Sequence, residues 1–509
     1  MRQIVFLDDR STNRRSVTVF DTTLRDGEQT PGVSFTLDQK IEIATQLSDI
    51  GVHVIEAGFP ASSESEYETV KRIADAGLDA QICGLARSLE SDVDRCLACN
   101  VDMVHVFIPT SEVQRVHTIK KSHKDVLQIT EAIIAYAREH CGNVMFSAMD
   151  ATRTDFNELV EVYRTAVDAG ATIINVPDTV GVSTPSRMHD LVSRIKSSVN
   201  CPIDVHCHND FGLAVGNTIS AVEGGASQVQ VTVNGLGERA GNADLAETVM
   251  VLESIFGIDT GISTRRLVET SRMVSRFSGI SLPPIKAVVG DNAFSHESGI
   301  HSHGMLANAT TFEPGIMTPE MVGHRRRLTL GKHVGRHAVK QMLEEVHISP
   351  DDQQLDDIVL KVKAIASKGK RVTDNDLYEI AESVIGGAVG KKPIELDDIA
   401  ILTGNHVLPT ASVRVRVSGK EYVYSSVGNG PVDAAMKSLL GVVPIPVQLK
   451  EFSVSAISGG TDALGHVTIT VEDSHGRVFD ASSSGDDIVL ASVEAMINAL
   501  NLVTRVNGG

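Results

Sequence analysis

Along the first half of the chain, apolar positions switch between a period of two and a helical period. Eight short runs are apolar or alternating and predict strands: 16–24, 53–59, 80–86, 103–109, 143–148, 172–177, 202–208 and 228–234. Most are separated by stretches with apolar residues at helical spacing, such as Leu37, Ile41, Ala44 and Leu47. Eight strand–helix units within about 240 residues fit a closed (β/α)8 TIM barrel better than a doubly wound sheet.

After the barrel the pattern changes. Residues 257–290 read as helix with turn breaks, and 349–385 as a small helical subdomain. A ββα pattern then occurs twice. Ser412 to Val417 alternates, Tyr422 to Tyr424 follows, and Gly428-Asn429-Gly430 opens a helix through Leu440. His466 to Val471, Val478-Phe479, Ser484-Gly485-Asp486 and a helix through Leu500 repeat the order. Such a repeat predicts a pseudo-symmetric α+β module. The expected domains are a barrel at 16–285, linker subdomains at 286–390 and the C-terminal module at 391–509.

In a parallel barrel the strand C-termini carry the chemistry. Polar residues collect there: Arg25 and Asp26, Glu56, Arg87, His105, Ser147, Asn175, His206 and His208, then 234–242. Arg25 can grip a carboxylate by a two-pronged ion pair. Asp26 can ligate a metal or orient a base, and the plainer alternative is a turn with one ion pair. His206 and His208 are two apart on one strand, so they share a face while Cys207 points away. A lone histidine is more often a hydrogen-bonded core residue. The pair, arriving at the rim with Asp26, makes a three-ligand site that leaves positions open for substrate oxygen. Mixed carboxylate and imidazole ligands suit Zn, Mn or similar ions without choosing among them. The loop Asn234-Gly235-Leu236-Gly237-Glu238-Arg239-Ala240-Gly241-Asn242 is Gly-rich but lacks the dinucleotide spacing. It is a candidate anion loop, and Asn242 a candidate further metal contact.

Composition excludes several classes. The 509 residues carry a net charge of -19, which argues against nucleic acid as a partner. No apolar run is long enough for a membrane span, and the polar N-terminus offers no signal segment. Six scattered cysteines suit a reducing cytoplasm, and Cys96 and Cys99 read as two buried thiols.

The motifs FDTTLRDGEQTPG, EAGFP, HCHNDFG, NGLGERAGN and HESGIHSHG stand in this order. Together they resemble the 2-isopropylmalate synthase family, which includes citramalate and homocitrate synthases, over nearly the whole chain. The resemblance implies a divalent-metal-dependent (Mn, Zn or Mg) Claisen condensation of acetyl-CoA with a 2-oxo acid, committing carbon to leucine. It implies Asp26, His206, His208 and Asn242 as the metal group and Arg25 as the group polarising the oxo acid. His105, Ser147, Asn175, Pro177 and Thr179 would surround that acid, the last three alternating inward at the end of the sixth strand. The N-x-P-D-T segment from Asn175 favours 2-oxoisovalerate over pyruvate, the citramalate synthase substrate. His301 would serve acid–base work from the partner of a homodimer with an exchanged linker. Leucine would bind the C-terminal module near Gly459, Gly460, Thr461 and Asp462. Two departures stand out: Met149 where the family usually has Glu, and Phe312 where it often has Tyr. They keep a weakly catalytic, leucine-binding regulatory paralogue as an alternative.

Overall fold

In the computed structural model the eight runs form one closed parallel barrel in chain order. The strands are β1 (Thr18–Asp21), β2 (Val54–Gly58), β3 (Gln81–Arg87), β4 (Met103–Pro109), β5 (Asn143–Met149), β6 (Ile173–Asp178), β7 (Ile203–Cys207) and β8 (Gln228–Val231). Pairing of β8 with β1 closes the ring. The structure describes residues 15–296, 315–324, 327–328, 330–346, 348–367, 372, 374–385, 393–443, 445–456 and 465–507. His301, Phe312 and Gly459, Gly460, Thr461 and Asp462 lie outside the described residues.

Local sequence fixes where the outer helices start. Helix Leu37–Asp49 opens on a capping box: Thr36 accepts from the Gln39 backbone N–H, and the Gln39 side chain accepts from Thr36 N–H. Ser122 and Asp125 do the same for helix His123–His140. Alternation then sorts each strand's side chains between the helical layer and the barrel interior.

The interior changes character along its axis. Phe20, Val54, Cys83, Met103, Met145 and Ile173 form an apolar plug. Farther toward the strand C-termini, Glu56, His105, Ser147, Asn175, Asp204 and Gln230 form a buried polar layer. Register sets the layer, with Ser147 opposite Asn175 and Asn175 opposite Asp204. β1, β2, β7 and β8 are shorter than their apolar runs. β1 stops at Asp21, after which the chain turns through Thr22 to Asp26. β8 gives way to a tight turn with Asn234 at φ 62°. His208 lies just past β7 and adds one bridge to Asn242.

Asp21, the last residue of β1, is fully buried. Its Oδ1 accepts from Thr23 N–H at 2.8 Å, and its Oδ2 has no partner among the described residues. Burial pushes this carboxyl up to about 7 from an ordinary 3.8. Between those values the folded chain binds a proton that the unfolded chain has released. Asp21 therefore makes stability fall as pH rises through the window, by a few (roughly 2–4) kcal/mol. Asp21→Asn, which keeps the Thr23 contact, is expected to flatten this slope in urea midpoints taken at intervals from about pH 4 to 7. An unchanged slope would remove Asp21 as its source.

Helices Asp352–Ala366 and Asp374–Ile385 pack together as the expected helical subdomain. A short ladder joins β9 (Ser295–His296) to β10 (Arg327–Leu328). The C-terminal module is indeed repeated, with one more strand per unit than expected. β11 (Ile394–Leu402), β12 (Thr410–Val417) and β13 (Lys420–Val427) form an antiparallel sheet followed by helix Pro431–Val442. β14 (Val447–Ala456), β15 (Gly465–Asp473) and β16 (Val478–Gly485) repeat it before helix Ile488–Asn507. The additional strands, β11 and β14, each carry a register shift, between Leu396 and Asp398 and between Leu449 and Glu451. A bulge breaks the alternation that would reveal a strand in sequence. The described residues divide into two compact units, one built on 15–294 and the other on 327–507. No described helix is long and apolar enough to cross a membrane.

Candidate metal centre and active site

The turn after β1 and the end of β7 bring Asp26, His206 and His208 together in the barrel mouth. All three are buried, at 3, 6 and 7% exposure, although each is polar. The two imidazoles meet Nε2 to Nε2 at 3.1 Å. Asp26 Oδ2 lies 3.4 Å from His206 Nε2 and 3.9 Å from His208 Nε2. Cys207 points to the outer core, as alternation requires.

The electrostatics favour cation binding. Burial alone would raise the Asp26 carboxyl, but Arg25 and the two imidazoles hold it well below the ordinary range. Burial, and then the neighbouring His206, lowers His208 to about 3, so its ring is neutral and free to donate a lone pair. Asn242 Nδ2 donates to Asp26 Oδ1 at 3.1 Å and to Leu236 O at 3.0 Å. Its buried Oδ1 has no partner among the described residues. An orphaned amide oxygen beside a carboxylate and two converging imidazole nitrogens is a donor set that fits a divalent cation. Gly237 allows the loop to approach: a Cβ there would lie 2.1 Å from Asn242 Nδ2.

Arg25 is clamped rather than free. Its Nε donates to Glu56 Oε2 at 2.6 Å, and its NH1 to Asp26 Oδ2 at 2.9 Å. Glu56 also accepts from Thr22 Oγ1 at 2.6 Å and from His105 Nδ1 at 2.7 Å. Burial would raise Glu56, yet Arg25 and His105 lower it to about 2. From His105 the chain of contacts continues around the barrel. His105 Nε2 meets Ser147 Oγ at 2.7 Å, and Ser147 donates to Asn175 Oδ1 at 2.7 Å. Asn175 Nδ2 donates to Asp204 Oδ2 at 2.5 Å. Gln230 Nε2 donates to the same oxygen at 2.7 Å, and Gln230 Oε1 faces His206 Nδ1 at 2.9 Å. Asp26, Arg25, Glu56, His105, Ser147, Asn175, Asp204, Gln230 and His206 thus form one closed polar ring.

Pro177 is buried on β6 directly opposite His206. Thr179 lies beyond the end of β6, half-buried, and its hydroxyl accepts from Asp150 N–H at 2.9 Å. Strand alternation therefore does not aim it inward with Asn175 and Pro177. Met149 sits half-buried at the end of β5, two residues past Ser147 and on the same face. Asp150 is committed elsewhere: it is fully buried at φ 68° and bonded to Ser111 and Arg153. Cys96 and Cys99 are buried, and their thiols face two different carbonyls, those of Leu85 and Tyr67.

The ring contains two residues that no site role singled out, and a third, Glu56, that opens the EAGFP motif and stands at a polar strand end without a role assigned to it. Asp204 and Gln230 gave no signal beyond being polar at inward positions of apolar strands.

Comparison with known proteins assigns each part. Residues 16–274 match the HMGL-like family, 288–370 the homocitrate synthase post-HMGL domain-like family, and 371–504 the LeuA allosteric (dimerisation) domain. A probable 2-isopropylmalate synthase of Methanosarcina acetivorans is 56% identical over 494 residues, covering 96% of each chain. The 2-isopropylmalate synthase of Methanocaldococcus jannaschii is 51% identical over 492 residues, covering 96% of this chain and 94% of that one. The (R)-citramalate synthase of the same organism is 45% identical over 493 residues, covering 96% and 99%. With the barrel, the two later domains and identity above half across nearly the full length, the chain belongs to the 2-isopropylmalate synthase family.

Proposed function

We propose that this enzyme condenses acetyl-CoA with 2-oxoisovalerate, giving 2-isopropylmalate and CoA. The observation that carries the reading is the meeting of Asp26, His206, His208 and Asn242 with the clamped Arg25 in the barrel mouth. Asp26, His206, His208 and Asn242 would hold a divalent cation, with Mn, Zn and Mg all compatible. When bound, such an ion supplies Lewis-acid polarisation of the oxo acid. Arg25 places a permanent positive charge where negative charge develops on the carbonyl oxygen, and its two carboxylate partners fix the guanidinium plane. His105 and Ser147, held in the ring by Glu56 and Asn175, would line the site of the same substrate, with Pro177 and Thr179 nearby as walls. A base removes a methyl proton from acetyl-CoA, and the enolate attacks the keto carbon. Water then cleaves the thioester and releases CoA. His301, supplied by the partner of a homodimer, is the candidate acid–base group.

The match to an allosteric dimerisation domain supports leucine as effector, with Gly459, Gly460, Thr461 and Asp462 as its candidate contacts. The six free, buried thiols suit a cytoplasmic setting. The 45% identity to a citramalate synthase gives pyruvate a place as the alternative substrate. Isopropyl against methyl is worth only about 1–3 kcal/mol of pocket discrimination. CoA release measured with a panel of 2-oxo acids decides: fastest turnover on 2-oxoisovalerate supports the reading, and preference for pyruvate replaces it. Binding of leucine without turnover on any acid would identify a regulatory paralogue.

Met149→Glu tests the missing carboxylate. At this position a carboxylate would stand beside Ser147 at the mouth. A well-placed base or water-orienting group is worth about 10²–10⁴-fold in rate. A rise in kcat that makes His301 less necessary, in the comparison with His301→Ala, is expected if the two share proton transfer. Brisk wild-type turnover and an inert Met149→Glu would show that no base is missing.

A further inference from the structure

Asp204 lies beneath the proposed metal group, on the same face of β7 as His206, and is fully buried. Its Oδ2 accepts from Gln230 Nε2 at 2.7 Å. The surroundings of the amide set which way it points: Asp204 Oδ2 acts as an acceptor toward Asn175 as well, and the same Gln230 nitrogen faces a second acceptor, Met145 Sδ, at 3.6 Å. The NH2 faces Asp204, and the carbonyl faces away. The carbonyl Oε1 lies 2.9 Å from His206 Nδ1. A carbonyl oxygen cannot donate, so Nδ1 must carry the ring proton. The lone pair is then left on Nε2, the atom 3.1 Å from His208 Nε2 and 3.4 Å from Asp26 Oδ2.

We propose that Gln230, aligned by Asp204, is the positioning residue that holds His206 as its Nδ1–H tautomer and so aims the Nε2 lone pair at the divalent cation. This rests on the metal reading above. His208 is the internal contrast: its buried Nδ1 has no partner among the described residues, so nothing comparable fixes its tautomer. The two imidazoles are therefore inequivalent ligands, one set by the protein and one set by the ion. Partners of this kind raise the basicity of a ligating imidazole and lock its orientation. Asp204 also accepts from Asn175, so the same carboxylate steadies the neighbour of Ser147.

The test uses full-length protein. Gln230→Met keeps the side-chain length and removes the acceptor. Mn²⁺ affinity, measured by competition with a chelating indicator, is expected to fall about 10- to 100-fold. The double variant Asp204→Asn/Gln230→Glu exchanges the amide and the carboxylate. It still offers His206 Nδ1 an acceptor and Asn175 a partner, and is expected to restore affinity to within a few-fold. A second readout needs no metal. In metal-free protein labelled with ¹⁵N-histidine, the His206 signal, identified by its loss in His206→Ala, should show a protonated Nδ1 in wild type and in the exchange variant. In Gln230→Met that signature should move toward a tautomer mixture. Wild-type Mn²⁺ affinity and an unchanged tautomer in Gln230→Met, while His206→Ala loses the metal, would overturn the role of Gln230 and leave the metal reading standing. Mn²⁺ bound equally by wild type and His206→Ala would overturn both. If Gln230→Met fails to fold, the exchange variant decides, since a non-protonated Nδ1 there contradicts the proposal.

Discussion

His206→Ala is expected to abolish metal-dependent turnover while leaving the barrel folded. The imidazole is one of two converging beside Asp26, and its side chain is 8% exposed. Removing it leaves Asp26 with a single imidazole neighbour and takes away a first ligand. Loss of several kcal/mol of charge stabilisation, about 4, corresponds to roughly 10³-fold in rate. The structural cost is smaller. Gln230 loses the partner of its carbonyl, worth about 1–3 kcal/mol, and the apolar layers are untouched. His208→Ala should behave in parallel. The measurement is kcat after stripping with a chelator and refilling with Mn²⁺, beside a thermal melt. Full rate in either variant after refilling would end the assignment of these histidines as ligands.

Replacing Glu56 should give the largest loss of stability. Glu56 is fully buried and serves Arg25, Thr22 and His105 at once. Glu56→Leu leaves a buried guanidinium with half its compensation and strands two further donors. Breaking a buried pair by removing one partner costs about 3–5 kcal/mol. The urea midpoint should fall accordingly, and turnover with it, because Arg25 loses the partner that sets its plane. Glu56→Gln keeps the shape and should cost less. The sign with pH follows from the lowered carboxyl. Its folded value of about 2 lies below its ordinary 4.5, so its contribution is complete above 4.5 and lost as pH falls through about 2. The gap between wild type and Glu56→Gln should therefore close in acid. A gap that persists at about pH 2 would mean that packing, not charge, makes Glu56 necessary.

The barrel was legible because period-two runs and helical spacing are local signals, and eight of them in order admit few topologies. The His206–His208 pair was legible for the same reason: two residues along a strand share a face. The polar ring was not. Whether Asn175 meets Asp204 depends on the register of β6 against β7, and register is a property of two strands, not of either sequence. Gln230 is invisible for the same reason, because its meaning lies in touching Asp204 on one side and His206 on the other. Thr179 shows the converse error. Alternation extended past the true strand end at Asp178 assigns a direction that the turn does not keep. In the C-terminal module, bulges hid β11 and β14, while the regular strands beside them were plain.

The closed ring bears on how this site can change over evolutionary time. Glu56 and Gln230 are joined through His105, Ser147, Asn175 and Asp204 on one side and through Arg25, Asp26 and His206 on the other, and both depend on the direction in which donors and acceptors run between them. Reversing one amide obliges its neighbour to reverse. Substitutions at distant strands should therefore show epistasis, with double variants departing from the sum of the singles although the side chains never touch. Neutral drift at any one member is closed off unless a second member shifts with it, as in the paired exchange at 204 and 230. New substrate preferences have an easier route at Met149, which borders the mouth but belongs to no hydrogen bond of the ring.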